Sequence, residues 1–199
     1  MSSAMLAALG LAMGLSYASG LKLYATLAVL GLLQSFAVIH LPASLAVLGN
    51  PILIAIALAL FALEFFADKI PYVGSAWNAI HTFLRPPAAA LLSYAALSPA
   101  PAEWRVLGAL LGGGVAFSSH SIKTALRTPL EASPEPFSTS AFSIAEEVLA
   151  ASVAWLAATH PLLTIVVVVA LFAAMICLTV MLYRAFRRGF GSFARAFRA

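Results

Sequence analysis

Charge is what this sequence has least of: eleven lysines and arginines and seven aspartates and glutamates make up 9% of 199 residues, against 63% hydrophobic. A water-soluble domain of this length would have nothing with which to coat its surface, and the mean hydropathy of +1.01 says the same. No stretch is long or polar enough for a separate soluble domain, so the composition predicts one compact membrane domain. Cysteine is nearly absent too. The single copy, Cys177, lies in an apolar run, which excludes a disulfide framework and a thiolate metal site. No basic side chain precedes the first apolar run, which opens Met1-Ser2-Ser3-Ala4. It lacks the positive region of a cleavable signal and is expected to be retained.

The little basic charge there is lies unevenly. Arg184, Arg187, Arg188, Arg195 and Arg198 crowd into the last sixteen positions. Among them Phe186, Phe190, Phe193 and Phe197 recur at helical intervals. Residues 184–199 therefore read as a basic amphipathic tail for the cytoplasmic headgroup layer, with membrane lipids as its partners. Gly189 and Gly191 weaken such a helix, so a frayed basic tail is the alternative. Both place the C-terminus in the cytoplasm, and neither makes the net charge of +4 a sign of nucleic-acid binding.

Apolar stretches fall at 4–39, 51–67, 86–99, 104–127, 141–159 and 161–183. A spanning helix takes about 20 residues, so the expectation is an all-α, polytopic helical membrane protein of about six spans within residues 1–183. The positive-inside rule puts both termini in the cytoplasm. Lys69, Arg85, Lys123 and Arg127 then flank cytoplasmic loops, and His40, Pro99–Glu103 and His160-Pro161 lie outside. Stretch 4–39 is too long for one helix and is interrupted at Ser19-Gly20; it holds one broken span or a hairpin. A second break is expected at Ser118–Ser121, after Gly112-Gly113-Gly114.

Residues 14–25 lie over residues 114–125 with Gly14/Gly114, Ser19/Ser119 and Ala25/Ala125 identical. Halves 1–100 and 101–183 would hold three spans each, an odd number that inverts the second copy, as in secondary transporters. The alternative is that the glycines merely let helices pack closely.

The charges inside this apolar sequence fall into groups. Glu64 and Asp68 are four apart, hence on one helical face; His120, Lys123 and Arg127 follow i, i+3, i+7; Glu146 and Glu147 open the fifth span. An isolated charge at mid-bilayer costs about 2.5–3.5 kcal/mol, and pairing is the usual relief. These stripes are expected to face one another across a cavity, as ion-responsive groups or as a fixed ion-pair network. Snorkelling to the membrane surface is the third reading. Ser19, Gly20, Lys22, Ser118 and Ser119 are the candidates for helix breaks with solute-binding backbone. His81 and Arg85, before Pro86-Pro87, read as an amphipathic interfacial segment ahead of a span that the prolines begin.

Catalysis finds little support. No Gly-x-Ser-x-Gly elbow surrounds a serine, and the histidines at 40, 81, 120 and 160 make no His-Glu-x-x-His. No catalytic residue, cofactor or metal is expected. Ser133-Pro134-Glu135-Pro136 reads as a stiff linker or gate.

At these residues the chain resembles a family of small bacterial integral-membrane proteins catalogued only as a domain of unknown function. The resemblance covers about residues 10–180. It rests on Gly20-Leu-Lys-Leu-Tyr24, Glu64-Phe-Phe-Ala-Asp-Lys-Ile-Pro71, His81-Thr-Phe-Leu-Arg-Pro-Pro87, Ser118-Ser-His120 with Lys123 and Arg127, Ser133–Pro136 and Glu146-Glu147. One departure is the last pair, often Glu-Asp in the family. The resemblance implies a multi-pass protein of the bacterial inner (plasma) membrane and assigns no reaction. The leading expectation is a transporter or channel for an unknown small solute or ion. The alternatives are a non-transporting scaffold with structural ion pairs and a lipid-binding tail, then a membrane-embedded lipid enzyme. A homodimer through the smooth sixth span is compatible with the sequence.

Overall fold

The structure, a computed structural model, describes residues 2–70, 73–131 and 136–196, with the side chains of 128–131, 136, 182 and 185–196 outside the description. Among the described residues it is all-α: α1 (Ser3–Leu21), α2 (Leu23–Ser35), a 3-10 turn (Ala46–Gly49), α3 (Pro51–Ala67), α4 (Val73–Ala96), α5 (Ala102–Glu131), α6 (Pro136–Thr159) and α7 (Pro161–Ala196). Three stretches are long and apolar enough to cross a membrane, Ser3–Leu21, Phe137–Thr159 and Pro161–Met181, and α2 and α3 are apolar but shorter. Helix starts follow local chemistry. Ser2 Oγ accepts the Met5 amide at 3.2 Å and Asn50 Oδ1 the Ile52 amide at 2.8 Å, relieving amides that have no partner within the helix. Pro51 and Pro161 take first-turn positions, where a missing N–H is harmless.

Polarity is arranged inside out. Ile52 (70%), Leu111 (71%) and Val166 (65%) stand exposed, while Lys22, Glu64, Arg85 and Lys123 are fully buried. Such an arrangement suits lipid outside and paired charge inside.

The central helix, α1, packs against α4, α5, α6 and α7. Its first residues, Met5 and Leu9, line a cavity with Leu97, Pro99 and Pro101, and Gly10 abuts the Pro161 carbonyl. The start of α1 therefore lies beside the α4–α5 and α6–α7 turns. From there α1 descends alongside α7, where Tyr17 meets Phe172 edge-on at 4.9 Å and its hydroxyl donates to Met175 Sδ at 2.8 Å. It ends against the middles of α4 and α5, with the Gly20 carbonyl on Arg85 and the Gly20 backbone on Ala116 and Ser119.

The chain then returns to the end it came from. In the loop after α2, Ser44 Oγ donates to the Ala95 carbonyl at 2.7 Å, and Ile39, Leu41 and Leu45 join Leu11, Leu92, Ala96 and Leu97 in the core. Residues 3–35 are thus a helical hairpin whose vertex is Lys22. The later helices alternate in direction.

Several expectations change in this frame. The chain does not break at Ser19-Gly20. It breaks at Lys22, in extended conformation (φ −149°, ψ 93°). Gly20 serves close approach, since a Cβ there would collide with Ser119 Oγ and the Ala116 carbonyl. Helix α5 runs unbroken through Gly112–Gly114 and Ser118–Ser121, where hydroxyls bond back to the preceding turn, Ser118 to the Gly114 carbonyl (2.8 Å) and Thr124 to the His120 carbonyl (2.9 Å).

Inverted repeats are not found at this place. The matched stretches of α1 and α5 do pack together, but both descend from the same end, and an inverted copy would run the other way. Stretch 4–39 is the hairpin of α1 and α2, and three of the described helices are long and apolar enough to cross a membrane. The third span is not 86–99: α4 continues through Pro86 and Pro87, leaving the Thr82 and Phe83 carbonyls without their usual donors. Helix α7 starts beside the start of α1 and runs away from it, so the described ends of the two segments, Ser3 and Ala196, lie apart. The phenylalanine stripe of the tail lies outside the described side chains and residues 133–135 of the linker outside the described residues, although the backbone of α7 is helical to Ala196.

A buried charge cluster as candidate functional site

Helix ends explain why the cations gather here. A helix C-terminus leaves carbonyls unpaired and carries partial negative charge. At the end of α1, Arg85 Nη1 donates to the Gly20 carbonyl (3.0 Å), Lys123 Nζ to the Leu21 carbonyl (3.0 Å), and Ser119 Oγ to the Tyr17 carbonyl (3.2 Å). At the end of α3, Arg127 Nη2 donates to the Asp68 carbonyl. Three bases from α4 and α5 thus hold two helix ends, and each also meets an acid.

One layer of the cluster surrounds Arg85. Its Nη2 pairs with Glu64 Oε1 at 2.5 Å, and its Nη1 donates to His120 Nδ1 at 2.7 Å. A guanidinium only donates, so His120 Nδ1 is the bare nitrogen. The proton sits on His120 Nε2, which faces Thr82 Oγ1 (3.0 Å) and the Asn78 carbonyl (3.2 Å). Beside this layer, His81 Nδ1 donates to the Trp77 carbonyl (2.7 Å) and His81 Nε2 accepts from the Tyr24 hydroxyl (3.2 Å), its ring stacked on Trp77 at 4.6 Å.

The second layer surrounds Lys22. Its ammonium pairs with Asp68 and approaches Glu147 Oε1 (3.4 Å), Glu146 Oε2 (4.0 Å) and Ser143 Oγ (3.5 Å). Lys123 pairs with Glu146 Oε2 at 3.1 Å; Arg127 lies 3.2 Å from Asp68 Oδ1 and 3.9 Å from Glu146 Oε2. Among the described side chains, four acids (Glu64, Asp68, Glu146, Glu147) meet four bases (Lys22, Arg85, Lys123, Arg127). Some oxygens stay unfilled: Glu64 Oε2, Glu146 Oε1 and Ser19 Oγ are buried without a hydrogen-bond partner among the described residues.

The structure therefore brings together Glu64, Asp68, Lys22, His120, Lys123, Arg127, Glu146 and Glu147, with Ser19, Gly20 and Ser119 at the end of α1. Ser118 stands apart. It is exposed on α5, in a groove of about 690 Å³ lined by Leu110, Phe117, Phe172 and Ile176. His81 and Arg85 are corrected from interfacial to buried, at 2% and 0% exposed. Because α4 starts at Val73 rather than at the prolines, both sit well inside a helix facing the interior. Sequence reasoning missed Asn78, Thr82, Tyr24 and Ser143. Periodicity held the signal, since Asn78, His81 and Arg85 repeat the i, i+3, i+7 stripe of His120, Lys123 and Arg127, and Ser143 lies one turn before Glu147.

No match to the chain was found among curated proteins or among solved structures. A family profile described as a domain of unknown function (DUF4126) matches residues 9–181, an interval that contains every residue of the cluster. The chain, matched over most of its length, belongs to the DUF4126 family.

Proposed function

We propose that the protein is a transporter or channel for a small solute or ion in the bacterial inner membrane, using the buried carboxylates and bases as its responsive groups. One observation carries this reading: four acids and four bases converge on a one-residue helix break at the vertex of a helical hairpin, inside a bundle whose outer faces are apolar. Ionisable residues held within a membrane domain mark solute or proton paths more often than they serve stability. Irregular backbone at depth is tolerated where protein or a cavity satisfies it, and here Arg85 and Lys123 do so. On this reading α3 to α7 cross the membrane and α1–α2 dips into it from the outer face. The basic end of α7 keeps the C-terminus in the cytoplasm and the N-terminus lies outside. Membrane lipid contacts the apolar flanks and the tail. Alternating access would require a second conformation in which some of these pairs exchange partners.

The pairing itself favours a second reading, a scaffold in which the charges are static. Each base of the cluster has an acid, and two of the protein's cavities, of about 690 and 740 Å³, are lined by other residues. Proteoliposomes separate the two. The transport reading expects flux of a proton, ion or metabolite by the wild type, with Glu64→Gln and Glu147→Gln reducing it beyond their effect on folding. Absence of flux across a broad panel, with melting temperature as the only property changed by the variants, leaves the scaffold.

A further inference from the structure

The face that α5 and α7 turn outward is notched by the groove of about 690 Å³ in which Ser118 stands. Leu110, Leu111, Phe117 and Ile176 form its walls and are 49–71% exposed. Its floor is Val115 and Phe172, which pack on the core, and Tyr17 holds Phe172 edge-on from below. We propose that this groove binds an anionic phospholipid, with an acyl chain lying against Gly114 and the phosphate meeting Arg184. The proposal goes beyond the transport reading: it holds for a transporter and a scaffold alike, and needs only that α5 and α7 lie in a bilayer.

Three observations carry it. The first is the space at Gly114. A Cβ on Gly10, Gly14, Gly20 or Gly112 would strike a neighbouring segment, so those glycines serve close packing. A Cβ on Gly114 would meet nothing within 4 Å. Glycine weakens a helix interior, and here no described residue uses the room it leaves.

The second is dimension. The α5 wall of the groove, from Leu110 to Ile122, runs about 18 Å at 1.5 Å per residue, close to the 15 Å or so of one leaflet's hydrocarbon. Spread over that length, the volume gives a mean cross-section of about 38 Å², half of the roughly 80 Å² of a helix 10 Å across. A helix from a second copy is too wide to enter. An extended hydrocarbon chain is not.

The third is charge at one end. Around Gly114 the lining is apolar, and the Ser118 hydroxyl is spent on the Gly114 carbonyl at 2.8 Å. Helices α5 and α7 descend together, and Tyr183 and Arg184 follow Ile176 by seven and eight residues. They therefore continue its side of α7, about 12 Å further along. Both are exposed. An aromatic and a basic side chain in this position suit the headgroup layer, where arginine attracts lipid phosphate.

The test is photolabelling in phosphatidylcholine proteoliposomes with a trace of phosphatidylglycerol that carries a diazirine near the end of one acyl chain. Adducts, mapped by mass spectrometry of peptides, are expected at 110–122 and 172–176 in preference to the exposed Ile52 and Ile56 of α3. Unlabelled phosphatidylglycerol should displace the probe where added phosphatidylcholine does not. Gly114→Leu fills the groove with a better helix former, and should lose these adducts without lowering the melting temperature. Ile176→Trp fills it from α7 and should do the same, which covers the case that Gly114→Leu fails to fold. Arg184→Gln should weaken displacement by phosphatidylglycerol about fivefold, the equivalent of about 1 kcal/mol for one basic group at the surface. Adducts spread evenly over α3 and the groove, equal displacement by phosphatidylcholine, or labelling unchanged by the filled variants or by Arg184→Gln overturns the proposal. So does an intermolecular disulfide formed by Gly114→Cys in a Cys177→Ala background, which would seat a second copy there.

Discussion

Replacing Glu64 by Gln keeps the shape of the side chain and removes its charge, which leaves the fully buried Arg85 without its counter-ion. Breaking a buried pair from one side costs about 3–5 kcal/mol, because the remaining charge has neither water nor partner. For a chain of this length each kcal/mol moves the melting temperature by about 2–4 °C, so a fall of roughly 6–20 °C is expected. Arg85→Met should cost more. It strands the Glu64 carboxylate, and the Gly20 carbonyl and His120 Nδ1 also lose a donor, at about 1–3 kcal/mol for each buried group left unsatisfied. The double variant Glu64→Gln/Arg85→Met is neutral at this layer and should recover at least about 2 kcal/mol of the summed penalties, within the range measured for contacting residues. The assay is thermal melting of all four proteins in one detergent. Penalties that add to within about 0.5 kcal/mol, the behaviour of independent sites, would refute the claim that these side chains meet in the interior.

Further outcomes follow from the same geometry. Gly20→Ala introduces a Cβ into Ser119 Oγ and the Ala116 carbonyl; overpacking of this kind costs about 1–3 kcal/mol, measured as a lower melting temperature. Adding Ser119→Ala should relieve part of the clash. Ser119→Ala alone should cost about 1 kcal/mol for its bonds to the Tyr17 and Ala116 carbonyls. Its exposed neighbour Ser118→Ala should stay within about 0.5 kcal/mol of wild type. Equal effects at 118 and 119 would contradict the assigned face of α5.

Much of the cluster is legible in the sequence, for a physical reason. In a chain with 9% charged residues, acids and bases at helical spacing inside apolar runs have to meet one another. Glu64, Lys123, Arg127 and Glu146 are placed by periodicity alone. What periodicity misses is which residues tertiary contact rescues. Pro86-Pro87 reads as a helix start because proline suits a first turn, yet within a bundle neighbouring groups compensate for the lost hydrogen bonds, and α4 continues through it. That one difference carries His81 and Arg85 from the surface into the interior. Ser19-Gly20 reads as a break, but glycine there serves contact with α5, and the break falls at Lys22, where helix-capping bases from other segments hold the freed carbonyls. No local pattern announces those bases. Direction is also invisible locally: the likeness of residues 14–25 to 114–125 marks two stretches that touch, and only the packing shows that 14–21 runs the same way as α5 before the chain turns at Lys22.

The account turns on the path of residues 3–35, which must enter and leave by one face for Lys22 to lie at an enclosed vertex. Single cysteines at Ser3, Ser44, Ser98, Lys69 and Arg184, placed in a Cys177→Ala background, can be labelled in intact membranes with an impermeant thiol reagent. Positions 3, 44 and 98 should react from the outer face, and 69 and 184 only once the inner face is opened. Labelling of 3 and 44 from opposite faces would make α1 and α2 a through-span and contradict the re-entrant path proposed for them.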